Sequence, residues 1–164
     1  ILDLKSHLIK KSSTDHQEVT NLINKFKSQI SGESSIQKNQ VEIKEIFEQE
    51  SIEDILKKTN LLSENGSDFA KNIEHELMGK SPTSLKITFK QINEATEMSL
   101  RDALIMEYRM VQRCQASGDF YEGVRAMLVD KDRKPNWKPS DLNKVDEIWV
   151  NHFFEPLHEK DLKI

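Results

Sequence analysis

Short apolar runs spaced at three and four residues, each opened by a small polar residue and closed by glycine, proline or a polar loop, constrain this chain more than any other feature. That spacing lines one face of a helix, whereas a strand needs strict alternation. Ser51, with Asp54 three residues on, opens a run carrying Ile52, Ile55, Leu56 and Leu62, which Asn65-Gly66 breaks. Ser67 or Asp68 opens the next, with Phe69, Ile73 and Leu77 on one stripe and Gly79 at its end. Ser81-Pro82 is an N-cap followed by proline at the first helical position, where the missing N–H costs nothing, and Leu85, Phe89 and Ile92 line that helix. Ser99 and Asp102 open the longest run, through Leu100, Ala103, Leu104, Tyr108, Val111 and Cys114, until Gly118 closes it. Nothing alternates with period two for long enough to make a strand, so the expectation is an all-α chain.

The remaining stretches fit that expectation with less punctuation. Ile1, Leu2, Leu4, Leu8 and Ile9 give a short helical face. Thr14, Asp15 and Glu18 mark a new helix start, and Val19, Leu22, Ile23, Phe26 and Ile30 follow at helical steps. Ser31 to Gln40 is polar, holds Gly32 and three serines, and is expected to be an exposed loop and the place for disorder. Val41 to Phe47 stays ambiguous between helix and strand. A last helix is expected around Trp149, Val150 and Phe153, ended by Pro156.

Composition bounds what such helices can do. The chain has 164 residues, of which 32% are charged and 36% hydrophobic, below the apolar share of roughly 45–50% usual for a compact domain, although that figure counts glycine. A surface-rich helical chain is implied, not one with a thick core. The net charge of −4 has both signs interspersed, which argues against nucleic acid as a partner, since its binders concentrate positive charge on the phosphates. No apolar run approaches the roughly 18 residues of a membrane span, so no membrane partner is expected. Cys114 is the only cysteine and cannot form an internal disulfide, which favours a reducing compartment. The chain opens Ile1-Leu2-Asp3 without a methionine or a signal pattern, and is expected to be processed or a piece of something longer.

Motifs for chemistry are sought and not met. His75-Glu76 begins like the zinc-binding H-E-x-x-H, but the fifth position is Gly79, so no second imidazole lies one turn on. His7, His16, His152 and His158 have no ligand spacing among them, and no metal site is expected. Cys114 continues an apolar stripe and is expected to be a core thiol, not a nucleophile. Asn65-Gly66-Ser67 fits a glycosylation sequon but is expected to serve as a turn. There is no glycine-rich phosphate loop and no G-x-S-x-G elbow, and no catalytic residue is assigned.

One stretch keeps a second possibility open. Asp119 to Pro139, DFYEGVRAMLVDKDRKPNWKP, starts with Asp119 and Glu122 in capping-box spacing, repeats Phe120, Val124 and Leu128 every four residues, and leaves through a basic segment that Pro135 would stop. Lys131, Arg133, Lys134 and Lys138 interleave with Asp130, Asp132 and Trp137. Two uses compete there: a phosphate met by the basic groups beside the indole, or a solvated charge run in which Trp137 anchors the loop. The two aspartates dilute the patch and favour the second.

The Lys80–Lys86 pattern K-S-P-x-x-L-K, the long helix after it, the D-F-x-E-G-x-x-A segment at Asp119–Ala126 and the basic, proline-containing exit together resemble the C-terminal part of the crotonase (enoyl-CoA hydratase/isomerase) superfamily. Met106-Glu107-Tyr108-Arg109, Cys114, Gly123–Pro139 and Asp161-Leu162-Lys163 resemble, within it, the acyl-CoA thioester hydrolases of valine breakdown. The resemblance implies the C-terminal helical region of a crotonase-like α/β protein, with a variable helical region at 1–80 and the C-terminal helices at 81–164. It further implies an acyl-CoA substrate bound through an N-terminal core, coenzyme A as part of that substrate with no separate cofactor, a mitochondrial location and exposed apolar stripes able to self-associate. The family's oxyanion hole of backbone N–H groups lies in that core, so no catalytic residue is carried over. Lys131, Arg133 and Lys134 are expected near the nucleotide end of CoA. Another hydratase or isomerase of the superfamily, or a stand-alone helical interaction module, remains the alternative.

Overall fold

The computed structural model describes residues 2–11, 15–27 and 32–164, Leu2 without its side chain. Ile1, Thr14, Ile30 and Ser31, named above, lie outside the described residues. Two compact units divide the chain, Ile1–Gln40 and Val41–Ile164. Among the described residues every regular element is helical and none is a strand.

The first unit holds α1 (Leu2–Lys11), α2 (His16–Lys27) and α3 (Ser35–Lys38). Asp15 opens α2 by accepting from the Gln17 N–H at 2.8 Å, and α1 meets α2 through a T-shaped contact of the His7 and Phe26 rings, centroids 5.6 Å apart. The loop expected from Ser31 to Gln40 is partly helical. Ser34 accepts from the Gln37 N–H at 3.2 Å while the Gln37 side chain accepts from the Ser34 N–H at 2.9 Å. That reciprocal box satisfies two orphan donors and nucleates the turn, which polarity alone had marked as loop.

The second unit runs α4 (Gln40–Phe47) from its second residue, α5 (Ile52–Glu64), α6 (Asp68–Met78), α7 (Pro82–Ala95), α8 (Leu100–Ala116), α9 (Gly118–Val124) and α10 (Glu147–His152). Val41–Phe47 is therefore helix. Four starts use one device: Ser51, Ser67, Ser81 and Ser99 accept from the backbone N–H three residues on, at 3.1, 3.0, 3.1 and 3.2 Å. Each such cap contributes about 1 kcal/mol. Asn65-Gly66 ends α5, with Gly66 at φ 94°, a backbone that favours glycine.

Two cores lie on either side of α7. Ile46, Ile52, Ile55 and Ala70 form one, with Leu85 and Phe89 of α7 packed against it. Ile87 of the same helix belongs to the other, with Met106, Met110, Val145, Val150 and Phe153. Helix α7 is thus a shared wall. Lys86 crosses it as well, donating to the Val145 carbonyl at 2.9 Å and pairing with Glu53 at 2.7 Å.

Three expectations change here. Met106 and Met110, not Leu100, Leu104 and Val111, face the core of α8, and Leu100 is 77% exposed. Both rows satisfy helical spacing, and only the packing of α7 and α10 selects between them. On α7 Ile92 is exposed and Ile87 takes the buried place. Gly118 does not close α8, which ends at Ala116 with Ser117 as its cap; it opens α9. The compact units part between Gln40 and Val41, and α5 and α7 touch within the second.

Candidate functional site

The stretch from Asp119 begins as helix α9 and then widens into a π-helical turn at Arg125–Val129. Asp119 and Glu122 are not a capping box, and no side chain caps this start. Asp119 instead accepts from the Ser81 hydroxyl at 2.6 Å and from the Lys138 N–H at 2.9 Å. One carboxylate therefore joins the cap of α7 to the returning loop. Glu122 accepts from the Asn136 N–H at 2.6 Å and from Arg125. Both acids were in the right spacing for a cap and are used for tertiary contacts, because partners distant in sequence are closer in space.

The basic residues lie on the turn that follows. Arg133 N–H donates to the Ala126 carbonyl at 3.1 Å and Lys134 N–H to Asp132 at 2.8 Å. Lys131 and Arg133 sit at φ 55° and 56°, the left-handed region, which costs a non-glycine residue about 1 kcal/mol or more and persists only where surroundings impose it. Lys131, Arg133 and Lys134 are exposed together on this turn, and none makes an ion pair among the described residues. Asp130 and Asp132, which seemed to dilute them, both pair with Arg125, at 2.6 and 2.7 Å.

Arg125 is the residue that sequence reasoning missed. Its guanidinium holds Glu122 well below the usual carboxylate range, at about 2, with the Asn136 N–H adding to the effect. Asp132 is lowered by the same guanidinium and by the Lys134 N–H. Arg125 itself is raised by its hydrogen bonds to Glu122, Asp132 and Asp130. The available signal was Glu122 three residues before it on one helical face.

Trp137 anchors the loop. Its Nε1–H donates to the Gly79 carbonyl at 3.1 Å, and a Cβ at Gly123 would lie 3.3 Å from the indole, so the ring is seated against bare backbone. Nearby, an apolar trough of about 580 Å³ is lined by residues including Phe47, Ile55, Phe89, Cys114, Phe120 and Val124. Burial pushes the Cys114 thiol up, which disfavours the thiolate a nucleophile needs. Thr83 brings a buried hydroxyl to the same wall. Among the described residues no cluster of three His, Cys, Asp or Glu could hold a metal ion, and no helix is long and apolar enough to cross a membrane.

Two segments that carried the resemblance meet. Arg109 of α8 grips Asp161 with two donors; the Nε distances to the carboxylate oxygens are 2.8 and 2.9 Å, and Nη2 completes the fork. The hydrogen bonds from Arg109 lower Asp161 and those to Asp161 raise Arg109. The C-terminal tail is thereby fixed to the longest helix.

With this geometry in place, the comparisons are specific. The chain is 39% identical over 166 residues to the mitochondrial 3-hydroxyisobutyryl-CoA hydrolase of Gallus gallus, covering 99% of this chain and 42% of that protein. It is 35% identical to the Homo sapiens protein of that name, covering 98% and 42%. The chain thus spans less than half the length of the curated relatives it matches. Its fold is similar to that of a carnitinyl-CoA dehydratase from Mycobacterium thermoresistibile, with a TM-score of 0.77 and 24% identity over 98% of this chain and 43% of that one. An enoyl-CoA hydratase from Rhodobacter sphaeroides gives 0.74 and 25%, over 92% and 46%. The all-α chain is therefore a helical part of a crotonase-like fold. The enoyl-CoA hydratase/isomerase family model matches residues 1–154, and the chain belongs to that family.

Proposed function

We propose that this chain is the helical part of an acyl-CoA thioesterase that hydrolyses 3-hydroxyisobutyryl-CoA to 3-hydroxyisobutyrate and coenzyme A, in the mitochondrial breakdown of valine. The observation that carries the reading is the identity, at 35–39% over nearly the whole chain, to relatives that bear that name. In this reading the thioester carbonyl is polarised by backbone N–H groups in the portion of the relatives outside the matched span. These helices cover the acyl-CoA site and supply no catalytic group. Lys131, Arg133 and Lys134 lie near the phosphates at the nucleotide end of CoA, where exposed cations on a fixed turn suit a dianionic ligand. The exposed Phe120, Leu128 and Val129 support self-association or contact with the rest of the enzyme.

The test compares the 164-residue chain with a full-length protein that contains it, assaying free thiol release from 3-hydroxyisobutyryl-CoA. Turnover is expected only from the full-length protein. Hydrolysis by the 164-residue chain alone would overturn the division of labour. Hydration of an enoyl-CoA by the full-length protein, without thioester cleavage, would move it to the hydratases of the same superfamily.

A further inference from the structure

We propose that Arg125 is a positioning residue for CoA recognition: it shapes the Asp130–Lys134 turn and engages its two aspartates, so that Lys131, Arg133 and Lys134 face a phosphate without those carboxylates turned toward them. The inference rests on the reading that those three residues lie by the nucleotide end of CoA. It goes beyond that reading by naming a residue that touches no ligand and yet decides whether the turn binds one.

The guanidinium is fully used. A guanidinium has five N–H donors, and Arg125 makes five contacts: Nε to Glu122 at 2.9 Å, Nη2 to Glu122 at 2.8 Å and to the Lys134 carbonyl at 3.2 Å, and Nη1 to Asp130 at 2.6 Å and Asp132 at 2.7 Å. With no donor left over, Arg125 is not itself a phosphate ligand. Its partners show what it does instead. Asp130, Asp132 and the Lys134 carbonyl all belong to the turn, and Glu122 also accepts from Asn136 at 2.6 Å beyond it. The turn is thus held around one cation, and the left-handed backbones of Lys131 and Arg133 fall between its fixed points.

Charge argues the same way. Glu122, Asp130 and Asp132 set three carboxylates against four cations, Arg125, Lys131, Arg133 and Lys134. Without Arg125 the cluster is neutral, and Asp130 and Asp132 become available to the lysines and to Arg133. An incoming phosphate would then compete with carboxylates already in place. Arginine suits the role because its planar fork reaches several carboxylate oxygens at fixed angles, which a lysine ammonium does not.

The experiment uses the full-length enzyme and two substrates, 3-hydroxyisobutyryl-CoA and the N-acetylcysteamine thioester of the same acid, which lacks the nucleotide. Arg125→Gln is expected to raise KM for the CoA ester about tenfold, with kcat unchanged and the short thioester unaffected. Adding Asp130→Asn and Asp132→Asn to that variant is expected to recover most of the loss, since the competing charges are gone. Should Arg125→Gln fail to fold, Arg125→Lys serves, with an expected rise of about threefold. An unchanged KM for the CoA ester in the folded variant, or an equal rise for both thioesters, overturns the inference. The triple reversal Lys131→Glu, Arg133→Glu and Lys134→Glu separates the two levels. If it raises KM for the CoA ester while Arg125→Gln does not, only the role of Arg125 falls. If it leaves that KM intact, the placement of the CoA phosphates falls and the role of Arg125 with it.

Discussion

Helices α5 and α6 and the segment from Asp119 to Pro139 are built from the same polar residue types, yet they use them at opposite ranges. In the helical pair, Ser51 and Ser67 act on the backbone three residues on, and Thr59, fully buried, donates to the Ile55 carbonyl at 2.6 Å one turn back. In the segment, Asp119 reaches Ser81 and Lys138, Glu122 reaches Asn136, and Trp137 reaches Gly79. The first region caps its helices within one turn, although the Ser67 hydroxyl also donates to Glu42 of α4 and Asn60 of α5 donates to Glu74 of α6. The second is a loop whose shape depends on helices already packed. Local closure makes an element legible; distant closure makes it specific.

The comparison can be broken most forcefully at the core beneath the second region. Phe153 is 1% exposed and joins α7, α8 and α10, so Phe153→Ala is expected to cost about 3–5 kcal/mol through lost burial and a residual cavity. Chemical denaturation followed by helical circular dichroism measures it. A loss below about 1 kcal/mol would mean that α10 does not hold the loop's platform together. Next in size comes a matched pair. Asp119→Ala leaves the buried Ser81 hydroxyl and the Lys138 N–H without their acceptor and is expected to cost about 1–3 kcal/mol. Ser51→Ala removes a cap whose hydrogen bonds are both with Asp54, three residues on, and is expected to cost about 1 kcal/mol. Equal costs at the two sites, by the same measurement, would erase the distinction between local and distant closure.

What could be read from the sequence follows that division. The starts at Ser51, Ser67, Ser81 and Ser99 were legible because each cap and its partner lie in one turn, and Asn65-Gly66 was legible because the turn needs a positive φ. Asp119 carried an equally good cap pattern and proved to be a tether, since nothing local tells a capping carboxylate from one taken by a serine 38 residues away. Stripes were harder for a related reason. Leu100 with Leu104 and Met106 with Met110 are both valid helical rows, and the choice belongs to the neighbours. At the candidate site the cations were visible as a basic run. Their release from Asp130 and Asp132 was not, because Arg125 does it through a fold-back over five and seven residues.

The smallest effect sharpens the comparison through pH. Glu122 lies at about 2 in the folded chain against an ordinary 4.5, chiefly because Arg125 donates to it. A carboxyl lowered on folding contributes stability that is fully present above its unfolded value and is lost as pH falls through the folded one. The contribution of Glu122 is therefore complete at neutral pH and fades between about pH 5 and pH 2. Glu122→Gln is expected to lower the denaturation midpoint slightly at neutral pH, with the difference from the parent chain shrinking to nothing at the acid end. Asp132, lowered by the same guanidinium, keeps part of the acid dependence in the variant. The Thr59 hydroxyl donates to the Ile55 backbone carbonyl and to no titratable group, so Thr59→Val should be offset from the parent chain by the same amount at every pH. Denaturation midpoints of the three proteins across that range decide it. Parallel curves for Glu122→Gln and the parent chain would mean that the Arg125 cluster is not formed in solution, and that the segment from Asp119 to Pro139 is held by Trp137 and the Asp119 tether alone.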